Sequence, residues 1–551
     1  MSRLIAIFLV GLTAVGVLEA INFGKQAELL TYRLSVLPGG NELLREPLGN
    51  GQPVTLRADT GDSLAIELDA KGKQIGGVLT IMGSNGRATL RMFDDKTLGP
   101  GERDCATGVS GGWECKVFWR ITRPRTERLP LFPAADAVTI DSVTFSTTSI
   151  PRAPATTFAA LLLFLALLVV LSPLIIMARR VSHRLELFIL IGLSAAWIAT
   201  TGAVSALAIA AFLALGYLLV RLELRRRETR TSILLLAVGF VALVLFYFKV
   251  LSPYASAAFG QSSSLALPLG LSYFGIRLID VIFAARAGTL KEVSIVEFFG
   301  FMLHPSMLAA GPITTLGEFR RARIADWSIT DYGSGIARCL VGLVKKSAAD
   351  LLLAPGVMKL TQTVALHPDT INARVIWPML LGQLLYIYLD FSGYTDLALG
   401  TGRALGWRLP ENFNWPLAKS NLQRYWQSWH MTLSNWVMRR VYFPAFMESR
   451  SPILAAVCAM LAIGVWHQPD FAWTAWALHH GIGLGVTIKC RDVGFREGGI
   501  LARCASTPRG RVTMGLLGWA FTVSWVALGL SYTLFDNYLI SFSAIRGAFR
   551  F

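Results

Sequence analysis

The sequence predicts a polytopic α-helical membrane protein that carries a β-sandwich domain near its N-terminus. Three observations lead there. Of its 551 residues 53% are hydrophobic and only 16% charged, a balance too apolar for an ordinary soluble chain. The apolar residues gather into runs long enough to enter a bilayer, with short basic clusters between them. One early segment departs from this pattern, alternating with a period of two between turn residues. The formal charge of +17 belongs to the inter-span clusters: Arg179 with Arg180, Arg221 with Arg225, Arg226, Arg227 and Arg230, and Lys345 with Lys346. Such clusters mark cytoplasmic loops beside anionic lipid. No recognition motif accompanies the charge, so no nucleic-acid partner is expected.

Taken in order, residues 1–24 predict an N-terminal transmembrane anchor. Leu4 to Phe23 is apolar, Arg3 precedes it, and no small-x-small cleavage site follows. With Arg3 inside, residues 25–152 lie outside. Their runs VTLRA, SLAIELDA, GVLTIMG, ATLRMFD, KVFWRIT and AVTIDSVTFST predict an antiparallel β-sandwich with its own core. Val138 to Phe145 looks like the last strand of a carbohydrate-binding jelly roll, with Trp113, Phe118 and Trp119 as candidate stacking faces. A purely structural sandwich is the alternative. Cys105 and Cys115, in CATGVSGGWEC, are a candidate disulfide only in an oxidising compartment. Phe158 to Met177 returns to Arg179, Arg180 and Arg184, which independently places the β domain in the periplasm.

Residues 153–551 form the membrane domain. Apolar spans follow at Leu185–Ala199, Val204–Val220, Ile233–Leu251, Leu265–Ala285, Ile336–Leu353, Ile376–Leu399, Ile453–Val465, Phe471–Ile488 and Val512–Leu534. The whole chain then has about eleven spans. Val296–Ile313 and Pro378–Leu389 are interrupted by Gly and Pro, and predict broken or re-entrant segments lining a cavity.

Two histidines in the second half, His430 and His467, each follow a tryptophan, and His467 ends an apolar run. An ionisable group at membrane depth is costly and marks a functional site by default. The plainer alternative is an interfacial imidazole bonded to a backbone carbonyl. No metal-ligand spacing or redox CxxC is present.

Four stretches carry a resemblance: LPLGLSYFGIRLID from Leu267, MLAAGPITTLGEF from Met307, YLDFSGYTDLALGTGRALGWRLPENFNWP from Tyr388, and RYWQSWHMTLSNW with GVWH. In this order they resemble the membrane-bound O-acyltransferase (MBOAT) family, in its bacterial alginate O-acetyltransferase-like branch, over roughly Leu234 to Leu534. The resemblance implies a helical acyltransferase core with two functional histidines, matching His430 before TLSNW and the catalytic His467. The family's glycine after the second histidine is Gln468 here, followed by Pro469, a departure that bears on the turn beside the imidazole.

The implied chemistry is acyl transfer to an alcohol, whose hydroxyl needs a base within hydrogen-bond reach as it attacks a thioester. His467 is assigned as that base, and His430 as the partner holding the acceptor or the developing oxyanion. The absence of a G-x-S-x-G motif favours direct transfer. His480, in WALHHG, is either a support for the pair or an interfacial structural residue. Asp390 and Asp396 either orient substrate and histidine or neutralise basic residues such as Arg403 and Arg424. Trp429 and Trp466 are cavity walls or interfacial anchors. Lys345, Lys346 and Asp350 resemble the family's KK-x-x-x-D and mark either topology or donor docking. No bound cofactor or metal is expected, and acetyl-CoA or an acyl-carrier thioester is the implied donor substrate. The implied partners are inner-membrane lipid, a polysaccharide, and a periplasmic acetyltransferase or polysaccharide-synthesis complex. The expected setting is the bacterial inner membrane. Alternatives are D-alanyl or other acyl transfer to a cell-envelope acceptor, or a non-enzymatic glycan exporter or scaffold.

Overall fold

A computed structural model describes strands between residues 31 and 147, then residues 158–200, 203–225, 232–251, 270–308, 310–366, 371–494, 499–535 and 538–550, with side chains from residue 170 onward. Thr31–Leu37 pairs antiparallel with Ser63–Asp69, which pairs with Glu127–Pro133. Ile75–Gly83 lies between Ser142–Thr147 and Trp113–Ile121, again antiparallel. Among the described residues these strands form sheets of six, two and four strands. The N-terminal anchor, the Cys105–Cys115 pair and the aromatic stacking faces lie outside the described residues and side chains.

From residue 158 onward the chain is helical. The first half contains α1 (Phe158–Val181), α2 (His183–Thr200), α3 (Ala203–Arg225), α4 (Ser232–Phe246) with a π-turn at Tyr247–Leu251, α5 (Leu271–Arg286), α6 (Ile295–Met302) and α7 (Leu316–Ala322). The second half contains α8 (Ile329–Ala348), α9 (Ala354–Leu366), α10 (Ala373–Ala404), α11 (Leu422–Trp426), α12 (Met431–Val437) and α13 (Phe443–Ser449). It closes with α14 (Pro452–His467), α15 (Phe471–Gly494), α16 (Ile500–Ala505), α17 (Pro508–Leu534) and α18 (Tyr538–Gly547). Among the described residues α2, α3, α10 and α17 are long and apolar enough to cross a membrane, and Ile233–Lys249 and Pro452–His467 are shorter apolar helices. The apolar faces exposed on these helices, such as Leu207, Leu243 and Leu517, are what lipid covers.

One interruption is where the sequence places it, and one is not. The 296–313 region breaks after α6 into a short turn at Pro305–Met307 and then irregular backbone, until Thr315 opens α7 with a capping box. Irregular backbone at this depth must find its partners inside the protein. The fully buried Arg277 of α5 donates to the carbonyls of Phe301 (3.3 Å) and Met307 (3.0 Å). The Ala310 N–H reaches the Tyr394 hydroxyl at 3.0 Å, and the Ile313 N–H reaches Thr432 Oγ1 at 3.0 Å. A Cβ at Gly311 would lie 2.3 Å from the Ser306 carbonyl oxygen, so the turn closes only with glycine there. By contrast, the predicted break at Pro378–Leu389 is absent, because α10 runs unbroken for 32 residues. Pro378 lies near its N-terminus, so the missing bond is only the one to the Arg374 carbonyl, and the first turn bears it.

Helices α8 and α10 pack backbone to backbone. Gly335 and Gly342 on α8, seven residues apart, face Gly400 and Gly393 on α10. A Cβ at Gly342 would sit 2.5 Å from the Gly393 carbonyl oxygen, and one at Gly335 would sit 2.7 Å from that of Gly400. Small residues let membrane helices approach this closely and gain dispersion along the contact. Cys339, fully buried between them, directs its thiol toward the Leu397 carbonyl at 3.6 Å. Two apolar cores result, one built mainly from α1 to α8 and one from α9 to α18.

Candidate active site

His467 is the last residue of α14, and the chain turns at once through Gln468 into α15. Gly464, one turn earlier, lets α15 close in: its Cβ would lie 2.6 Å from the Trp473 carbonyl oxygen. That approach stacks the His467 imidazole on Trp473, with centroids 4.4 Å apart and planes 14° from parallel. Gln468 has φ −157° and ψ 127°, extended backbone that requires no glycine. Its N–H completes α14 on the Gly464 carbonyl at 2.9 Å, and its side-chain Nε2 donates to the Lys249 carbonyl at 3.1 Å. The substitution of the family glycine thus ties the turn to the end of the α4 segment.

Lys249 completes that tie. Its ammonium donates to the carbonyls of Trp466 and His467, the latter at 2.8 Å, and lies 5.9 Å from the centroid of the Trp466 ring. It therefore satisfies terminal carbonyls that α14 leaves unpaired. Phe248, Lys249, Ser272, Tyr273, Trp466, His467 and Gln468 line a cavity of about 420 Å³. Sequence reasoning passed over Lys249, although a lysine inside the apolar run LFYFKVL is itself the signal.

His430 lies deeper, 4% exposed, as the residue before α12. Its φ of 43° and ψ of 54° are left-handed, uncommon for a residue with a side chain. A chain of rings links the two histidines: the Tyr273 ring lies 6.3 Å from that of His430 and 5.3 Å from Trp466, and Trp466 lies 4.8 Å from His467. Phe391 of α10 meets His430 edge-on at 4.9 Å, and the His430 Nδ1 is 3.3 Å from Asn412 Oδ1. Asn412, in the loop after α10, is fully buried and was not singled out in the sequence.

The other candidates fall around this pair. Trp466 lines the cavity and donates its indole N–H to the Ser272 carbonyl at 3.4 Å. Trp429 instead packs in an aromatic cluster with Phe413, Tyr388 and Tyr425. His480 is buried edge-on against Trp426 and Trp476, with Trp476 also touching His467, so one indole stands between them. Asp396 and Asp390 lie along the α8–α10 contact. Asp396 accepts from Arg338 (3.0 Å) and Lys345 (2.6 Å), and Asp390 pairs with Lys346. Their partners are thus the cations of α8, whereas Arg403 pairs with Asp331. Among the described residues no group of three or more His, Cys, Asp and Glu side chains is arranged to hold a metal ion.

Apolar helices, a helix broken inside the protein, the buried His430 and a second histidine, His467, in the wall of a cavity define a membrane-embedded protein with a polar site. The model of the membrane-bound O-acyltransferase family matches residues 196–523, more than half of the chain, and the protein belongs to that family. Its alginate-type relatives agree: it is 26% identical over 298 residues to a probable alginate O-acetylase of Pseudomonas aeruginosa, covering 52% of each chain. It is likewise 26% identical over 231 residues to a teichoic acid D-alanyltransferase of Bacillus subtilis, covering 39% of this chain and 57% of that protein. A peptidoglycan O-acetyltransferase of Helicobacter pylori is 34% identical over 113 residues, 20% of this chain and 21% of that one. The chain spans about half the length of the alginate-type relatives that it matches.

Proposed function

We propose that this protein is an O-acyltransferase that moves an acetyl group from a cytoplasmic thioester donor, acetyl-CoA or an acyl carrier, across the inner membrane for O-acetylation of an exported or periplasmic polysaccharide. The observation that carries this reading is the cavity of about 420 Å³ with His467 in its wall. That volume falls within the ~300–1,000 Å³ typical of small-molecule sites. His467 acts as the general base that takes the acceptor's hydroxyl proton as the hydroxyl attacks the thioester carbonyl. The thiolate leaves as the acyl–oxygen bond forms. Trp473, stacked on the imidazole, and the cap of α14 hold that ring in place. His430 holds the acceptor or the developing oxyanion.

In this reading residues 1–24 anchor the chain, and residues 25–152 form a periplasmic β-sandwich that docks glycan or a partner acetyltransferase. Residues 153–551 form the catalytic membrane domain. Antiparallel strand pairing supports the sandwich, and the basic clusters beyond the flanking spans support its periplasmic side. Transfer of D-alanyl to a cell-envelope acceptor is the second reading, favoured by equal identity to the teichoic acid D-alanyltransferase.

The test is labelled acetyl-CoA supplied to membranes, with mass analysis of the exported polymer from wild type and His467→Ala. Acetyl esters on the wild-type polymer and a loss of at least ~100-fold in the variant are expected, in line with removal of a general base. Transfer that survives His467→Ala would remove the assignment. Labelling by D-alanine alone would select the second reading, and polymer exported without any acyl transfer would select a non-enzymatic exporter or scaffold.

A further inference from the structure

Three hydrogen-bond donors converge on one atom, Oδ1 of Asn412. The Thr432 hydroxyl lies 2.6 Å from it, the Thr432 backbone N–H 3.3 Å and the His430 Nδ1 3.3 Å. The Asn412 carbonyl meanwhile accepts the Met431 N–H at 2.8 Å. Asn412 thus receives the first free N–H groups of α12, a role that the His430 side chain does not fill. A backbone N–H can only donate, so the atom facing Thr432 is the amide oxygen and not the nitrogen. The Thr432 hydroxyl points its hydrogen the same way, because it already accepts the Ile313 N–H. An oxygen can only accept from Nδ1, and a neutral imidazole carries one proton. The His430 Nε2 is buried and has no partner among the described residues.

We infer that Asn412 is a positioning residue that fixes His430 as the Nδ1–H tautomer, so that its Nε2 lone pair receives a hydroxyl of the acceptor. This rests on the acyltransferase reading above and narrows it. A lone pair has no proton to give an oxyanion, so holding the acceptor is the role left to His430. A polysaccharide presents neighbouring hydroxyls: one donates to His430 Nε2 while the next gives its proton to His467. Ile313 takes part as well, since its backbone N–H holds the Thr432 hydroxyl.

The test is ¹⁵N NMR of the full chain labelled at histidine, with the His430 signals identified by their loss in His430→Gln. It is paired with acetyl transfer from labelled acetyl-CoA in membranes. The expected spectrum shows a protonated Nδ1 and an unprotonated Nε2. Asn412→Asp, which keeps an accepting oxygen, retains the protonated Nδ1 and transfers more than Asn412→Leu but less than wild type, because a buried carboxylate also favours the imidazolium. Asn412→Leu loses the tautomer and lowers transfer on the order of 100-fold. A spectrum of wild type with Nε2 protonated would overturn the inference, as would full transfer by Asn412→Leu. If membranes transfer no acyl group while the spectrum shows Nδ1–H, the acyltransferase reading fails and the tautomer assignment survives.

Discussion

Lys249 carries the sharpest consequence at the scale of single residues. Its ammonium joins the end of the α4 segment to the carbonyls that end α14, and the same few atoms form one wall of the cavity. Lys249→Met removes the donor and leaves those carbonyls with a thioether against them. A lost hydrogen bond to a charged group is worth about 1.5–3 kcal/mol. If that energy positions His467, acyl transfer falls by roughly 10- to 100-fold, and Lys249→Arg, which keeps the charge and donors, restores part of it. Initial rates with labelled acetyl-CoA measure both, and wild-type rates in Lys249→Met would show that the lysine only fills space. Gln468 is the companion case. The sequence marks it as a departure, while the extended backbone and the bond to the Lys249 carbonyl give it a place of its own.

Among elements, the α8–α10 contact is set by glycine spacing and sealed by charge. Gly342→Ala places a methyl 2.5 Å from a backbone oxygen that cannot rotate away. Overpacking of this kind costs about 1–3 kcal/mol, so the variant is expected to unfold at lower temperature in detergent. Gly333→Ala on the same helix meets nothing within 4 Å. It should hold or gain stability by up to about 1 kcal/mol, since alanine favours the helix. Equal melting of the two variants would mean that the contact is looser than the packing implies. Flanking the glycines, Lys345 and Lys346 engage different aspartates, Asp396 and Asp390, so neither lysine is a bare charge awaiting a ligand.

On the scale of the whole molecule, most helices were legible because their cause is local. Apolar runs near arginine mark α2, α3 and α17 to within about five residues at each end. The break after α6 was legible too, because glycine and proline sit where irregular backbone lines the protein interior. Pro378 carried the same signal and misled, since one proline near a helix start costs a single hydrogen bond. The candidate residues His430 and His467 were singled out by their apolar setting in the sequence and their tryptophan neighbours. Their supports were not: Lys249 lies more than two hundred residues before His467, and Asn412 reads in sequence as one more polar loop residue. Only the meeting of the two apolar cores brings these groups together.

The thiol of Cys339 turns the glycine contact into an intrinsic gauge of helix separation. It is fully buried between α8 and α10, whereas Cys490 and Cys504 are exposed. A membrane-permeant maleimide applied to the native protein should modify the latter two quickly and Cys339 only as the helices part. Mass-resolved labelling against time would then read the opening of this contact without any introduced probe. Introducing bulk at Gly342 should speed modification of Cys339, and an unchanged rate would locate the flexibility elsewhere.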